Sequence, residues 1–182
     1  MEIEARFINL TKEEIEKKLQ KLGAEKKFEA LFQEWLFFHK GNPDWDNNHR
    51  RIRVRTDGTN TWLTYKANAT WAVDSTEEVE LQVASPAEDA VKLMKATDIP
   101  LERYQEKKRI SYTLGNITFD LDFWPKIPMV LEIEAPTQEE VKRGAELLGL
   151  QWKDAIFVDQ KVLHEQYYNI DLNLLSEYKF PE

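Results

Sequence analysis

Seven stretches of this chain read as strands, several of them alternating charged and apolar residues with a period of two, and few folds tolerate that pattern so many times. The stretches are residues 2–9, 50–56, 61–67, 76–84, 103–114, 116–123 and 129–135. Side chains alternate faces along a strand, so residues i, i+2 and i+4 point the same way. One set of faces then carries Glu2, Glu4 and Arg6; Arg51, Arg53 and Arg55; Thr64 and Lys66; Glu78, Glu80 and Gln82; Lys107 and Arg109; Asp120 and Asp122; Glu132 and Glu134. The opposite faces carry Ile3, Ile52, Val54, Leu63, Val79, Leu81, Leu121, Leu131 and Ile133.

The segments between the strands are short and strongly punctuated. Thr11-Lys12-Glu13-Glu14 and Thr137-Gln138-Glu139-Glu140 both read as capping boxes, and Gly23 and Gly149 end the helices they start. Ser85-Pro86-Ala87-Glu88 opens a third helix, with proline at its first position, that runs to about Ala96. Residues 25–39 are rich in aromatics and predict a long strand; 41–49 predict a polar loop. Asp57-Gly58 and Gly115-Asn116 mark hairpins. The tail, about 159–182, predicts one or two helices. The expected fold is α+β, an eight-stranded antiparallel barrel with helices on the outside, in a single domain over 1–182.

Size and composition agree with one folded unit of this kind. The chain has 182 residues with six tryptophans and nine phenylalanines, enough apolar bulk for a core. Cysteine is absent, which excludes disulfides and thiolate metal sites. The start Met1-Glu2-Ile3-Glu4 does not resemble a signal peptide, and no apolar run reaches the ~18 residues of a membrane span. A cytoplasmic protein is expected. The net charge of −8 argues against nucleic acid as a partner, and no membrane partner is expected. His39, His49 and His164 show no zinc spacing, and neither a P-loop nor a catalytic serine triad is visible.

The chemistry lies in how the charges are sorted. An open, half-wet sheet would account for any one strand. It accounts poorly for two strands that carry only cations and four that carry mainly paired carboxylates, because like charges two apart repel without a counter-charge. A closed barrel with charges inside satisfies the pattern. Paired carboxylates offer hard oxygen ligands to Mg2+ or Mn2+, and arginine forks match phosphate oxygens. Such a lumen suits the several negative charges of a polyphosphate.

Several motifs also carry a resemblance. Glu2-Ile3-Glu4-Ala5-Arg6 resembles the ExExK signature of the CYTH superfamily, the triphosphate tunnel metalloenzymes. Arg53-Val54-Arg55 followed by Leu63-Thr64-Tyr65-Lys66, then Glu78-Val79-Glu80, Lys107-Lys108-Arg109, and Asp122 with Glu132-Ile133-Glu134 resemble its later motifs in order, over roughly residues 1–168. That superfamily includes class IV adenylyl cyclases, thiamine triphosphatases and inorganic tripolyphosphatases. The resemblance implies that Glu2, Glu4, Asp122, Glu132 and Glu134 face metal, and that Arg6, Arg53, Arg55, Lys66, Lys107 and Arg109 hold the triphosphate. Arg6, Glu4 and Glu134 stand nearest the chemistry. Glu78, Glu80, Asp120, Arg51 and, in the tail, Lys161 rank behind them. Trp45 is the aromatic best placed to meet a substrate's organic end; Trp62, Trp124 and Tyr167-Tyr168 read as packing.

Arg6 stands where the signature has lysine. Arginine keeps the charge but cannot act as a base. Metal-dependent hydrolysis of a triphosphate is therefore the leading expectation, with cyclisation of ATP to cyclic AMP and binding without turnover as rivals. Restoring lysine by Arg6→Lys is expected to raise turnover. Oligomeric state stays open, with a homodimer compatible.

Overall fold

A computed structural model describes residues 3–68 and 76–181. Its elements run β1 (Ile3–Phe7), α1 (Lys12–Lys21), β2 (Glu25–Phe37), α2 (Pro43–Asn47), β3 (Arg51–Thr56), β4 (Thr61–Asn68), β5 (Thr76–Val83), α3 (Ala87–Lys95), β6 (Leu101–Leu114), β7 (Ile117–Phe123), β8 (Val130–Ala135), α4 (Gln138–Leu147), α5 (Gln160–Tyr168) and β9 (Glu177–Tyr178). The class is α+β with a predominantly antiparallel sheet, as the alternation predicts. The chain divides into two compact units, Met1–Ala30 with Lys108–Val162 and Leu31–Lys107 with Leu163–Glu182.

In the first unit β1 pairs with β8, β8 with β7, and β7 with β6, all antiparallel. Ala5 and Phe7 of β1, Phe119 and Leu121 of β7, and Leu131 and Ile133 of β8 form one buried face. Ile15 and Leu19 of α1, Val141 and Ala145 of α4, and Leu148 just past the end of α4 close over it. Both helices start as their sequences require. Thr11 and Thr137 accept hydrogen bonds from the Glu14 and Glu140 amides at 3.4 and 3.2 Å. Gly149 leaves α4 with φ of 69°, a conformation that costs a residue with a side chain.

The second unit pairs β2 with β3, β3 with β4, and β4 with β5. Its core is Phe37, Val54 and the α3 residues Ala87, Val91 and Met94, with Ile52 and Leu63 against them. Three details differ from the sequence expectation. The 41–49 loop holds a short helix, α2, because Asn42 accepts from the Asp44 amide at 3.0 Å and Pro43 suits the first turn. The tail carries one helix, a 3-10 turn at Leu172–Leu174, and β9, which pairs parallel to β6, so it is not wholly helical. Val79 and Leu81 of β5, expected on a packed face, are 51% and 58% exposed, because α3 covers β3 and β4.

Candidate functional site

Strand register decides which charges meet. In the first unit Arg6 lies opposite Glu132 and Glu4 opposite Glu134. Across the next pairing Asp120 lies opposite Glu132, and across the one after it Arg109 lies opposite Asp122. Directly opposed residues share a face. Glu4, Arg6, Arg109, Asp120, Asp122, Glu132 and Glu134 therefore form one charged surface of five carboxylates and two arginines. Glu2 lies outside the described residues.

Both arginines are closely held. Arg6 donates from Nη2 to Glu4 at 2.6 Å, contacts Glu132 at 2.9 Å, and donates from Nη1 to the Val158 carbonyl at 2.5 Å. Burial alone would make its charge easier to lose; Glu132 and Glu4 overcome that and drive its pKa above the ordinary arginine value. Arg6 is thus a fixed cation in the fold. Arg109 grips Asp122 through two 2.6 Å hydrogen bonds, reaches Glu132 at 3.1 Å and pairs with Asp120. Burial opposes its charge as well, and Asp122 and Glu132 outweigh the cost.

Asp120, Glu132 and Glu134 each present an oxygen, and the three oxygens lie within 4.8 Å of one another. Asp120 Oδ1 is buried with no hydrogen-bond partner. Burial first, then Asp122 and Glu132, push the Asp120 carboxyl up from its usual range, against Arg109 and Ser111. Three hard oxygens at this spacing, from a set that includes the Asp120 carboxylate with one unpartnered oxygen, fit a divalent cation. The register thus brings the lower-ranked Asp120 into this cluster and turns Asp122 toward Arg109.

The second unit has the opposite balance. Arg51 lies opposite Lys66, Arg53 opposite Thr64, and Lys66 opposite Glu78. Glu78 holds Lys66 at 2.7 Å. Glu80 accepts from Thr64 at 2.7 Å and lies 3.5 Å from Arg53 and 3.6 Å from Arg55. Burial pushes the Lys66 pKa down, and Arg53 adds to that effect. Arg51 donates to the His49 carbonyl at 3.3 Å. The Arg55 guanidinium sits 4.9 Å from the Phe32 ring centre and 5.3 Å from that of Trp62. Trp62 therefore packs on the charged face, and Trp45 meets His39 edge to face. Lys107 is buried, with its ammonium 6.0 Å from the Phe32 ring. Lys161 lies in the first turn of α5 rather than on a strand.

Glu34 escaped the sequence reading. It sits on β2 opposite Arg55 and is 2% exposed. Residues 25–39 read only as an aromatic-rich strand, and its two faces were not separated. The signal was present: Glu34 is two residues from Phe32 and Leu36, so it shares their face rather than that of Trp35 and Phe37.

Fold and charge layout together define a class of protein: an antiparallel α+β sheet that buries one side of its strands and arms the other with segregated acids and bases. The chain belongs to the CYTH domain family, whose profile matches residues 1–156. Comparison with curated proteins returns no match. Among solved structures it is similar to the PH1012 protein of Pyrococcus horikoshii, with 28% identity, a TM-score of 0.69, and coverage of 86% of this chain and 95% of that one. It also shares its fold with a candidate adenylate cyclase of Vibrio parahaemolyticus, at 13% identity and TM-score 0.74, covering 89% and 96%. A third relative in fold, from Hippeastrum, is a candidate adenylyl cyclase described as having a dominant triphosphatase activity; identity is 12%, TM-score 0.60, and coverage 91% and 95%. No helix among the described residues is long and apolar enough to cross a membrane.

Proposed function

We propose that the chain binds a small-molecule triphosphate together with Mg2+ or Mn2+ and hydrolyses its terminal phosphate. The observation that carries the reading is the meeting of Asp120, Glu132 and Glu134, which offer three carboxylate oxygens within 4.8 Å of one another. These three residues, with Glu4 beside them, hold the cation in this reading. A divalent cation there supplies Lewis acidity toward phosphate oxygens and water. Arg53, Arg55 and Lys66 neutralise and orient the phosphate chain. Arg6 keeps Glu4 and Glu132 in place and takes no proton, since its charge is stabilised from several sides. Glu134 accepts the proton that the attacking water releases, because the cations of this face are already protonated. Closure of the eight long strands into a barrel is part of the same reading. Slow hydrogen exchange at the β5 amides that point away from β4 is its mark; fast exchange at all of those would retire it.

The dominant triphosphatase activity ascribed to the Hippeastrum relative favours hydrolysis over cyclisation as the first assay. Purified protein is incubated with tripolyphosphate, and separately with ATP, in the presence of Mg2+ or Mn2+. Metal-dependent release of orthophosphate is expected. Cyclic AMP from ATP without orthophosphate would transfer the reading to a cyclase. Tight binding with no product would leave a binding protein.

A further inference from the structure

Arg53 is held unlike Arg6 and Arg109. Its side chain is 17% exposed, and its polar contacts are long: Glu34 at 3.4 Å, Thr64 at 3.5 Å and Glu80 at 3.5 Å. Its Nε, like that of Arg6, is buried with no hydrogen-bond partner, so contact length is what sets it apart. A guanidinium beside a buried carboxylate ordinarily closes on it as a two-pronged pair, as Arg109 does with Asp122. Glu34 does not close on Arg53, and the reason lies on its other side.

Glu34 Oε2 accepts a hydrogen bond from Gln105 Nε2 at 2.6 Å, so only Oε1 faces Arg53. The Gln105 amide is itself oriented, because its Oε1 accepts from Arg103 Nε at 2.8 Å. Arg103 in turn donates from Nη1 to the Leu172 carbonyl at 2.6 Å. Glu34, Gln105 and Arg103 are all buried, so these bonds do not exchange freely with water. Leu172 lies beyond residue 156, where the match to the family profile stops.

We infer that Gln105 is a positioning residue: by claiming one oxygen of Glu34, it keeps Arg53 from being neutralised by a fork and leaves that guanidinium open to a phosphate oxygen. The inference rests on the proposal that the cations of this unit bind a triphosphate. Without the Gln105 amide, both Glu34 oxygens are available to Arg53, and the phosphate must displace a charged fork instead of a 3.4 Å contact.

Calorimetry with tripolyphosphate, alongside steady-state kinetics, tests this on the full chain. Gln105→Met is expected to weaken tripolyphosphate binding about tenfold, raising KM and leaving kcat within about twofold, since a charged fork has to be broken first. Glu34→Gln, which cannot form that fork, is expected to leave affinity within about twofold of the parent chain, and the Gln105→Met/Glu34→Gln double variant is expected to regain it. A purely structural role for Gln105 predicts no such rescue. Undiminished affinity in Gln105→Met, or a loss that persists in the double variant, overturns the inference. If Gln105→Met does not fold, Gln105→Asn replaces it, because the shorter amide also releases Glu34, and the same outcomes apply. A parent chain that binds no tripolyphosphate with either metal overturns both this inference and the proposed function; a parent chain that binds without the rescue overturns this inference alone.

Discussion

Arg109 reaches Asp122 through two 2.6 Å contacts, whereas the polar contacts of Arg53 are 3.4 and 3.5 Å long. The same residue type therefore does two jobs, and contact length separates them: one arginine fixes carboxylates, the other stays available. Glu34 is the buried charge that makes the second arrangement stable. Burial pushes its carboxyl up, but Arg53, Lys107, the Gln105 hydrogen bond and Arg55 outweigh that and hold it below the usual glutamate range. A carboxyl depressed in the fold contributes stability above its unfolded pKa of about 4.3 and loses it as pH falls through the folded value. At neutral pH Glu34→Gln is expected to cost about 2 kcal/mol, the scale of a hydrogen bond to a charged group. Denaturant titrations of both proteins should give a constant gap down to about pH 5 and a shrinking one below about pH 4. A gap that widens on acidification would contradict this account of Glu34.

At the scale of elements, α4 packs on the strands beneath it with no room for a side chain at Gly144. A Cβ at that position would stand 2.9 Å from Ile133 Cγ2 and 3.0 Å from Ile117 Cγ2, with Phe119 Cε1 at 3.4 Å. Alanine would improve helix propensity by about 1 kcal/mol, but overpacking typically costs about 1–3 kcal/mol. Both isoleucines are branched and buried, so the strain is expected to win. Gly144→Ala should lower the melting temperature by a few degrees; a rise would mean that the helix shifts without resistance. These elements were legible to different degrees. Period-two alternation and the two threonine caps located β1, β3, β4, β7, β8, α1 and α4, because those signals are local. β9 was not legible: two residues pair with β6 only because Arg103 and Tyr104 hold the tail beside it, Arg103 through the Leu172 carbonyl and Tyr104 through the Ser176 carbonyl. Faces could be read strand by strand, but register could not. Register places Asp120, rather than Asp122, across from Glu132, and no spacing within one strand reports that. The face of Glu34 was legible in its spacing, but its partner Gln105, 71 residues away, was not.

For the whole molecule, the net charge of −8 conceals two surfaces of opposite balance. The face of the first unit carries five carboxylates against two arginines; the face of the second, with Arg51, Arg53, Arg55 and Lys66 against Glu78 and Glu80, has cations to spare. Each surface should therefore be stabilised by a ligand of opposite sign, and a binder selective for the fold adds about 2.7 kcal/mol at a hundredfold excess over Kd. Mn2+ alone is expected to raise the melting temperature of the chain, and so is tripolyphosphate in the presence of a chelator. Asp120→Asn should abolish the first response and keep the second. Its metal-free form should melt no lower than the parent, because burial together with Asp122 and Glu132 already disfavours the Asp120 charge. Arg53→Gln should show the reverse, keeping the Mn2+ response and losing much of the tripolyphosphate response. The crossed pattern is the informative result, because general destabilisation by either substitution would lower both responses together. An Asp120→Asn protein that still responds fully to Mn2+ would remove the cation from this carboxylate cluster, and a parent chain indifferent to both ligands would reduce the charged faces to scaffolding.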